Sequence, residues 1–188
     1  PLVRPFRTSF GESTEKVCVI ARVETDDALG WGECVSEVEP NFSEEWNDGA
    51  WNVIRDFLAP AMFAAGDVDV ERLGSVFAFV RGNPMAKATL ENAVLDAELR
   101  GQGRSLASYL GAVRDRVGCG VSVGIPTTES ISELLDEVAG YVDAGYRRIK
   151  LKIEPGWDIA PVGAVRERWP DMPLQTDANQ AYQRSDAP

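Results

Sequence analysis

The sequence predicts an α/β protein in two parts, an α+β segment followed by parallel strands alternating with helices. Three observations predict it. Apolar alternation of period 2 marks residues 15–37 as an antiparallel hairpin. Apolar residues at three-and-four spacing then mark helices up to about Tyr109. After Arg116 the order becomes strand–helix–strand–helix–strand with short joints, the pattern of βαβ units.

Each element has its own warrant. Residues 4–11, Arg4-Pro5-Phe6-Arg7-Thr8-Ser9-Phe10-Gly11, read as a loop carrying two aromatics, either a connector or a mobile flap over a ligand. In the hairpin, Val17, Val19, Ala21 and Val23 alternate with Cys18, Ile20, Arg22 and Glu24, and a polar turn leads into Trp31-Gly32-Glu33-Cys34-Val35. From Ser43 to about Val80 the pattern is helical, with interruptions expected at Pro60 and Gly66. A stronger helix over about Met85 to Arg100 places Ala86, Leu90, Ala93, Val94 and Ala97 on one stripe. A short helix follows at Ser105 to Gly111. Beyond it come a strand within Val117–Ile125, a helix capped by Ser130 and Glu133, and a strand Arg148–Ile153. A helix over about Ile159 to Trp169 and a strand Pro173–Asp177 complete the series. The boundary between the two parts falls near Val113.

Composition excludes several classes. The 188 residues are 44% hydrophobic and 26% charged, as in ordinary globular proteins. A net charge of −11 argues against nucleic acid or an anionic membrane as partner. No run approaches the ~18 apolar residues of a membrane span. Cys18, Cys34 and Cys119 are scattered in apolar, strand-like contexts, which predicts buried reduced thiols and a cytoplasmic setting. The first residue is not Met, and the chain closes where a helix N-cap is expected near Ser185, so it reads as a piece of a longer protein.

The chemistry concentrates on strand ends. In Arg148-Ile149-Lys150-Leu151-Lys152-Ile153 the two lysines share one face with Arg148, while the aliphatic residues share the other. Desolvation and mutual repulsion disfavour the charged form of paired lysines, and a proton-abstracting base requires such a bias. One βα unit later stands Asp177-Ala178-Asn179. Ligands of parallel α/β folds bind at the carboxyl ends of strands, where Lys152, Asp177 and Ser122 are all expected. Alone, a K-x-K strand also suits a charged edge, and Asp-Ala-Asn suits a turn. Together on consecutive strands they point to one site.

These residues resemble the enolase superfamily in its muconate-cycloisomerase-like branch. Lys150-Leu151-Lys152, Asp177-Ala178-Asn179-Gln180, Gly30-Trp31-Gly32-Glu33 and Ala93-Val94-Leu95-Asp96-Ala97 carry the likeness. Three longer strings, Pro5 to Gly11, Gly120 to Ile125 and Arg148 to Asp158, are similar to o-succinylbenzoate synthases of actinobacterial type that also act as N-acylamino acid racemases.

The resemblance implies an N-terminal capping domain over 1–113 and the first three strands of a (β/α)-barrel over 114–188, the barrel being incomplete. It implies Lys152 as the acid/base, Lys150 beside it, and Asp177 as one of three carboxylate ligands of Mg²⁺ or a similar divalent cation such as Mn²⁺. That arrangement is a known one for enolase-type sites. Ser122 and Asn179 would contact the substrate or a water on the metal, with Phe6 and Phe10 on a flap closing over it. The expected activity is a metal-dependent dehydration in menaquinone biosynthesis, with N-acylamino acid racemisation as the alternative. The third reading is a non-catalytic anion-binding or scaffold protein. A small carboxylate is the expected partner, with no nucleic acid or membrane, and a homo-oligomer when full length. The remaining ligands and an opposing lysine are expected beyond Pro188, so the chain alone is expected to be inactive.

Overall fold

A computed structural model describes residues 1–186. They form two compact units: Val17–Val113, and Pro1–Lys16 together with the chain from Arg114 onward.

The unit Val17–Val113 is built on an antiparallel hairpin. Strand β3 (Val19–Glu24) pairs with β4 (Leu29–Cys34) in the register Val19↔Cys34 to Glu24↔Leu29. Thr25 closes the turn, its Oγ1 accepting the Ala28 N–H at 3.1 Å. Helix α4 (Pro84–Gly101) lies on this hairpin, and all five residues of its expected stripe are buried. The close approach explains two glycines: a Cβ at Gly30 or Gly32 would run into the backbone oxygen of Ala93 or Thr89. Cys34, Ile54, Leu58, Leu73, Phe77, Leu90 and Val94 meet in the core of this unit.

Helix α1 (Asn47–Val53) continues without a break through a wide π-helical turn, Ile54–Leu58, into α2 (Ala59–Ala64). The expected interruption at Pro60 does not occur. Proline offers no N–H to an α-helical ladder and its ring crowds the preceding turn, and here the wider turn directly before it takes up the mismatch. Gly66, with φ of 72°, follows the end of this run. Helix α3 (Val70–Val76) starts on the Asp69 side chain, which accepts the Arg72 N–H. Beyond α4, the short α5 (Leu106–Tyr109) is capped by Ser105.

The buried carboxylate of Glu45 has no counterpart among the expectations. It is 4% exposed and accepts the N–H groups of Met85 (2.8 Å) and Ala86 (3.0 Å), at the first turn of α4. Free N–H groups and the positive end of the helix dipole both attract an anion there.

In the other unit, β5 (Gly120–Val123), β6 (Arg148–Lys152) and β7 (Leu174–Asp177) form a parallel sheet in the order β5-β6-β7. Helices α6 (Ile131–Asp143) and α7 (Ile159–Arg168) are the crossovers. Ser130 caps α6 by accepting the Glu133 N–H, but the Glu133 carboxylate accepts from Thr128 Oγ1, so only half of the expected capping box forms. Val123, Ile125, Leu134, Val138, Ile149, Leu151, Trp157 and Val165 make the core.

The segment expected as a loop at Arg4–Gly11 is instead a small hairpin, β1 (Phe6–Thr8) paired with β2 (Gly11–Ser13). Its Arg7 carbonyl accepts the Ile125 N–H at 3.0 Å, just beyond β5. Gly124 lies directly under it, where a Cβ would come within 3.1 Å of the Arg7 oxygen and 3.3 Å of Phe6.

All three cysteines are free, but only Cys34 is buried; Cys18 is half-buried and Cys119 exposed. The latter two stand just before β3 and β5 and so escape the sheets' inner faces. Among the described residues no helix is long and apolar enough to cross a membrane.

Candidate active site

Parallel register brings the chemistry together. Lys152 and Asp177 close β6 and β7 and are register partners, so their side chains leave the sheet side by side. Lys152 Nζ lies 2.8 Å from Asp177 Oδ2 and donates to Asn179 Oδ1 at 2.5 Å. Lys150 Nζ reaches the same Asp177 oxygen at 3.1 Å. One carboxylate oxygen therefore bridges both ammonium groups. The lysines are not two bare cations repelling each other, as the alternation alone suggested; a counter-charge sits between them. Lys152 is the more desolvated, its side chain 9% exposed against 36% for Lys150.

The Asp177 carboxyl is held well below the usual carboxylate range. The Lys152 hydrogen bond is the largest cause, followed by the N–H of Asn179 on Oδ1 at 3.0 Å; burial opposes them and Lys150 adds to them. Asn179 reaches this position through a strained turn. Asn179 and Gln180 both have left-handed backbones, with φ of 47° and 64°. Asparagine tolerates that region, whereas glutamine is held there by its surroundings.

Ser122 is the register partner of Lys150 across β5 and β6. Its Oγ is buried and makes no hydrogen bond among the described residues. A buried hydroxyl without a partner costs free energy unless something completes it.

The β1–β2 hairpin borders these strand ends. Arg7 forms ion pairs with Glu129 (2.7 Å) and Glu154 (2.8 Å), the latter two residues after Lys152. Ser9 Oγ donates to the Ala178 carbonyl at 2.7 Å, inside the turn that carries Asn179. Phe6 is half-buried beside Gly124, and Phe10 on the hairpin turn is 55% exposed. The roles of Arg7 and Ser9 had no signal in the sequence, because their partners lie 122 to 169 residues away.

An ionised Asp177 suits a hard divalent cation, and the Asn179 carbonyl oxygen beside it is a second donor of the right kind. These residues fit as part of an oxygen ligand set. They do not complete one: among the described residues no three His, Cys, Asp or Glu side chains gather into a metal-binding group.

Residues 1–111 match the model for the mandelate racemase / muconate lactonizing enzyme N-terminal domain, and residues 133–188 match that for enolase C-terminal domain-like proteins. The chain is 55% identical to an N-succinylamino acid racemase from Amycolatopsis sp., over 100% of this chain and 51% of that protein. It is 41% identical to an o-succinylbenzoate synthase from Geobacillus kaustophilus, over 99% of this chain and 49% of that protein. A solved enolase superfamily member from Listeria innocua superposes with a TM-score of 0.85 at 37% identity, covering 99% of this chain and 50% of that one. The chain thus spans about half the length of the curated relatives it matches. With both family models and the strand-end cluster in agreement, the chain belongs to the mandelate racemase / muconate lactonizing enzyme family of the enolase superfamily.

Proposed function

We propose that the longer protein containing this chain is an o-succinylbenzoate synthase, a cytoplasmic enzyme of menaquinone biosynthesis that dehydrates its substrate after removing a proton α to a carboxylate. The observation that carries the reading is the Lys150–Asp177–Lys152 cluster at adjacent strand ends. The synthase and racemase names of its relatives support the same class of chemistry.

Lys152 is the base in this reading, because it is the buried lysine and its neighbours can hold the ammonium that proton transfer produces. Base action requires Lys152 to enter as the neutral amine, its proton passed to solvent before the reaction and its bond to Asp177 given up, since an ammonium has no lone pair to offer. The same group then returns its proton to the departing hydroxyl. Lys150 adds positive charge beside the substrate carboxylate, and the unpartnered Ser122 hydroxyl offers it a hydrogen bond. Phe6 and Phe10, on the hairpin bordering the strand ends, exclude water. Asp177 would hold a divalent cation, Mg²⁺ or Mn²⁺, with further carboxylates supplied from outside this chain. When bound, that ion stabilises negative charge developing on the substrate carboxylate.

A second reading, N-acylamino acid racemase, is favoured by the 55% identity to a protein named N-succinylamino acid racemase. It needs another base on the opposite face of the substrate. Assaying the full-length protein with both substrates, with Mg²⁺ and with EDTA, tests both. Metal-dependent dehydration supports the first reading and racemisation alone the second. Turnover of neither would leave an anion-binding or scaffold protein. The 188-residue chain alone is expected to turn over neither substrate.

A further inference from the structure

Two loops leave the strands that carry the site, and a hydrogen bond between Tyr182 and Asp158 ties their far ends. The loop after β6 runs from Ile153 to Asp158, tightened by the reciprocal Glu154–Trp157 backbone bonds and the left-handed Gly156 (φ 91°). It ends at Asp158, whose Oδ1 accepts the Ile159 N–H at 2.6 Å and so caps α7. After β7 the chain passes through the strained Asn179-Gln180 pair to Tyr182. The Tyr182 hydroxyl donates to the other Asp158 oxygen at 2.7 Å, within the range of a charge-assisted bond. The two loops thus form a closed ring: Lys152, the 153–158 loop, Asp158, Tyr182, Asn179, and back to Lys152 through the 2.5 Å bond.

We infer that Tyr182 and Asp158 are positioning residues that hold the strained 178–182 turn so that the Asn179 side-chain oxygen stays on the Lys152 ammonium.

Three links keep that turn in its left-handed form near Asn179: the Asp177 carboxylate on the Asn179 N–H, the Ala178 carbonyl on the Ala181 N–H (3.0 Å), and Ser9 on the Ala178 oxygen. None of them fixes the chain beyond Ala181. Tyr182 supplies that distal anchor, and it anchors to a residue already immobilised by a helix. Its phenol is pushed up to about 12, the Asp158 hydrogen bond being the largest cause, and the Asp158 carboxyl is correspondingly lowered, first by Tyr182 and then by the Ile159 N–H. Both shifts are those of a formed bond between a neutral phenol and an ionised carboxylate. Among the described residues neither makes a hydrogen bond to Lys152, and the Tyr182 anchor acts on it through Asn179.

The inference rests on the catalytic role proposed for Lys152, and its test separates the two. In the full-length protein, Tyr182→Phe is expected to lower kcat about tenfold with KM within about twofold, the pattern of a misplaced catalytic group rather than a lost substrate contact. In an Asn179→Ala background the same change should cost less than about twofold, because the path it acts through is already gone. Asp158→Asn, which keeps an acceptor for the phenol, should retain more activity than Asp158→Ala. Amide exchange in the same variants needs no turnover. Tyr182→Phe should speed exchange at Asn179 and Ala181 about tenfold or more, leaving Ile149 in the sheet unchanged. Unaltered exchange at Asn179 and Ala181, or an equal loss of kcat in both backgrounds, overturns the inference. Absence of turnover in the wild type overturns the proposed reaction instead, and the exchange result then decides the positioning role by itself.

Discussion

Asp177 Oδ2 stands between two ammonium groups, 2.8 Å from Lys152 and 3.1 Å from Lys150, at the carboxyl ends of neighbouring parallel strands. One oxygen therefore organises the whole charge pattern of the site, and removing either partner has unequal consequences.

Lys152→Ala in the full-length protein is expected to reduce kcat at least about 100-fold, the low end of what a general base contributes. Its far-ultraviolet circular dichroism should stay that of the wild type. Asp177 retains Lys150 and the Asn179 N–H as partners, so no carboxylate is stranded. Substrate turnover and a dichroism spectrum of the same preparation check this; full activity would remove Lys152 from the mechanism.

Acid sensitivity follows from the lowered Asp177 carboxyl. Its folded value lies below that of an unfolded aspartate, about 3.9. The stabilisation is therefore complete above that pH and is lost as pH falls through the folded value. Urea denaturation from pH 7 down to about 3 should show a gap between wild type and Asp177→Asn that holds steady above about 4 and begins to narrow below it. A gap that does not narrow at all below about 4 would mean that Asp177 contributes nothing through its charge.

Gly32→Ala should destabilise the Val17–Val113 unit by at least about 2 kcal/mol, because the added methyl meets the backbone oxygen of Thr89 rather than a side chain that could turn away. At Gly74, where nothing lies within 4 Å, the same substitution serves as control and should cost little. Thermal unfolding of both variants makes the comparison. Equal melting temperatures would show that α4 can move off the hairpin freely.

Glu45→Ala leaves two N–H groups of α4, that of Ala86 buried and that of Met85 half-buried, without their acceptor. A loss of about 1–3 kcal/mol is expected, the usual cost of an orphaned buried donor. Glu45→Gln, which keeps a carbonyl oxygen but not the charge, should lose less. Chemical denaturation of the two variants ranks them, and the reverse order would refute the capping role.

Most of the backbone could be read in advance, for reasons visible in particular residues. Val19, Ala21 and Val23 alternate because one face of the hairpin is covered, and Ala86, Leu90, Ala93, Val94 and Ala97 repeat because one stripe of α4 covers it. Pro60 misled because a proline normally ends a helix, and only the preceding π turn shows how this one is carried. The Phe6–Ser13 hairpin stayed hidden since its strands are three residues long, too short for alternation to register.

At the site, the charged side chains gathered at the strand ends were legible and their arrangement was not. Lys150, Lys152 and Asp177 are where strand ends place them, since strand periodicity and parallel register are local and nearly rigid rules. That Asp177 neutralises both lysines, that Glu45 caps α4, and that Tyr182 anchors to Asp158 are facts of the tertiary structure. Each joins groups 24 to 41 residues apart, and no periodicity in a chain specifies which distant hydrogen-bond donor and acceptor will meet. The sequence by itself determined which chemistry the strand ends carry. The packing of loops and helices decided how that chemistry is held, because the energy of a hydrogen bond depends on ångström-scale geometry that only the folded chain sets.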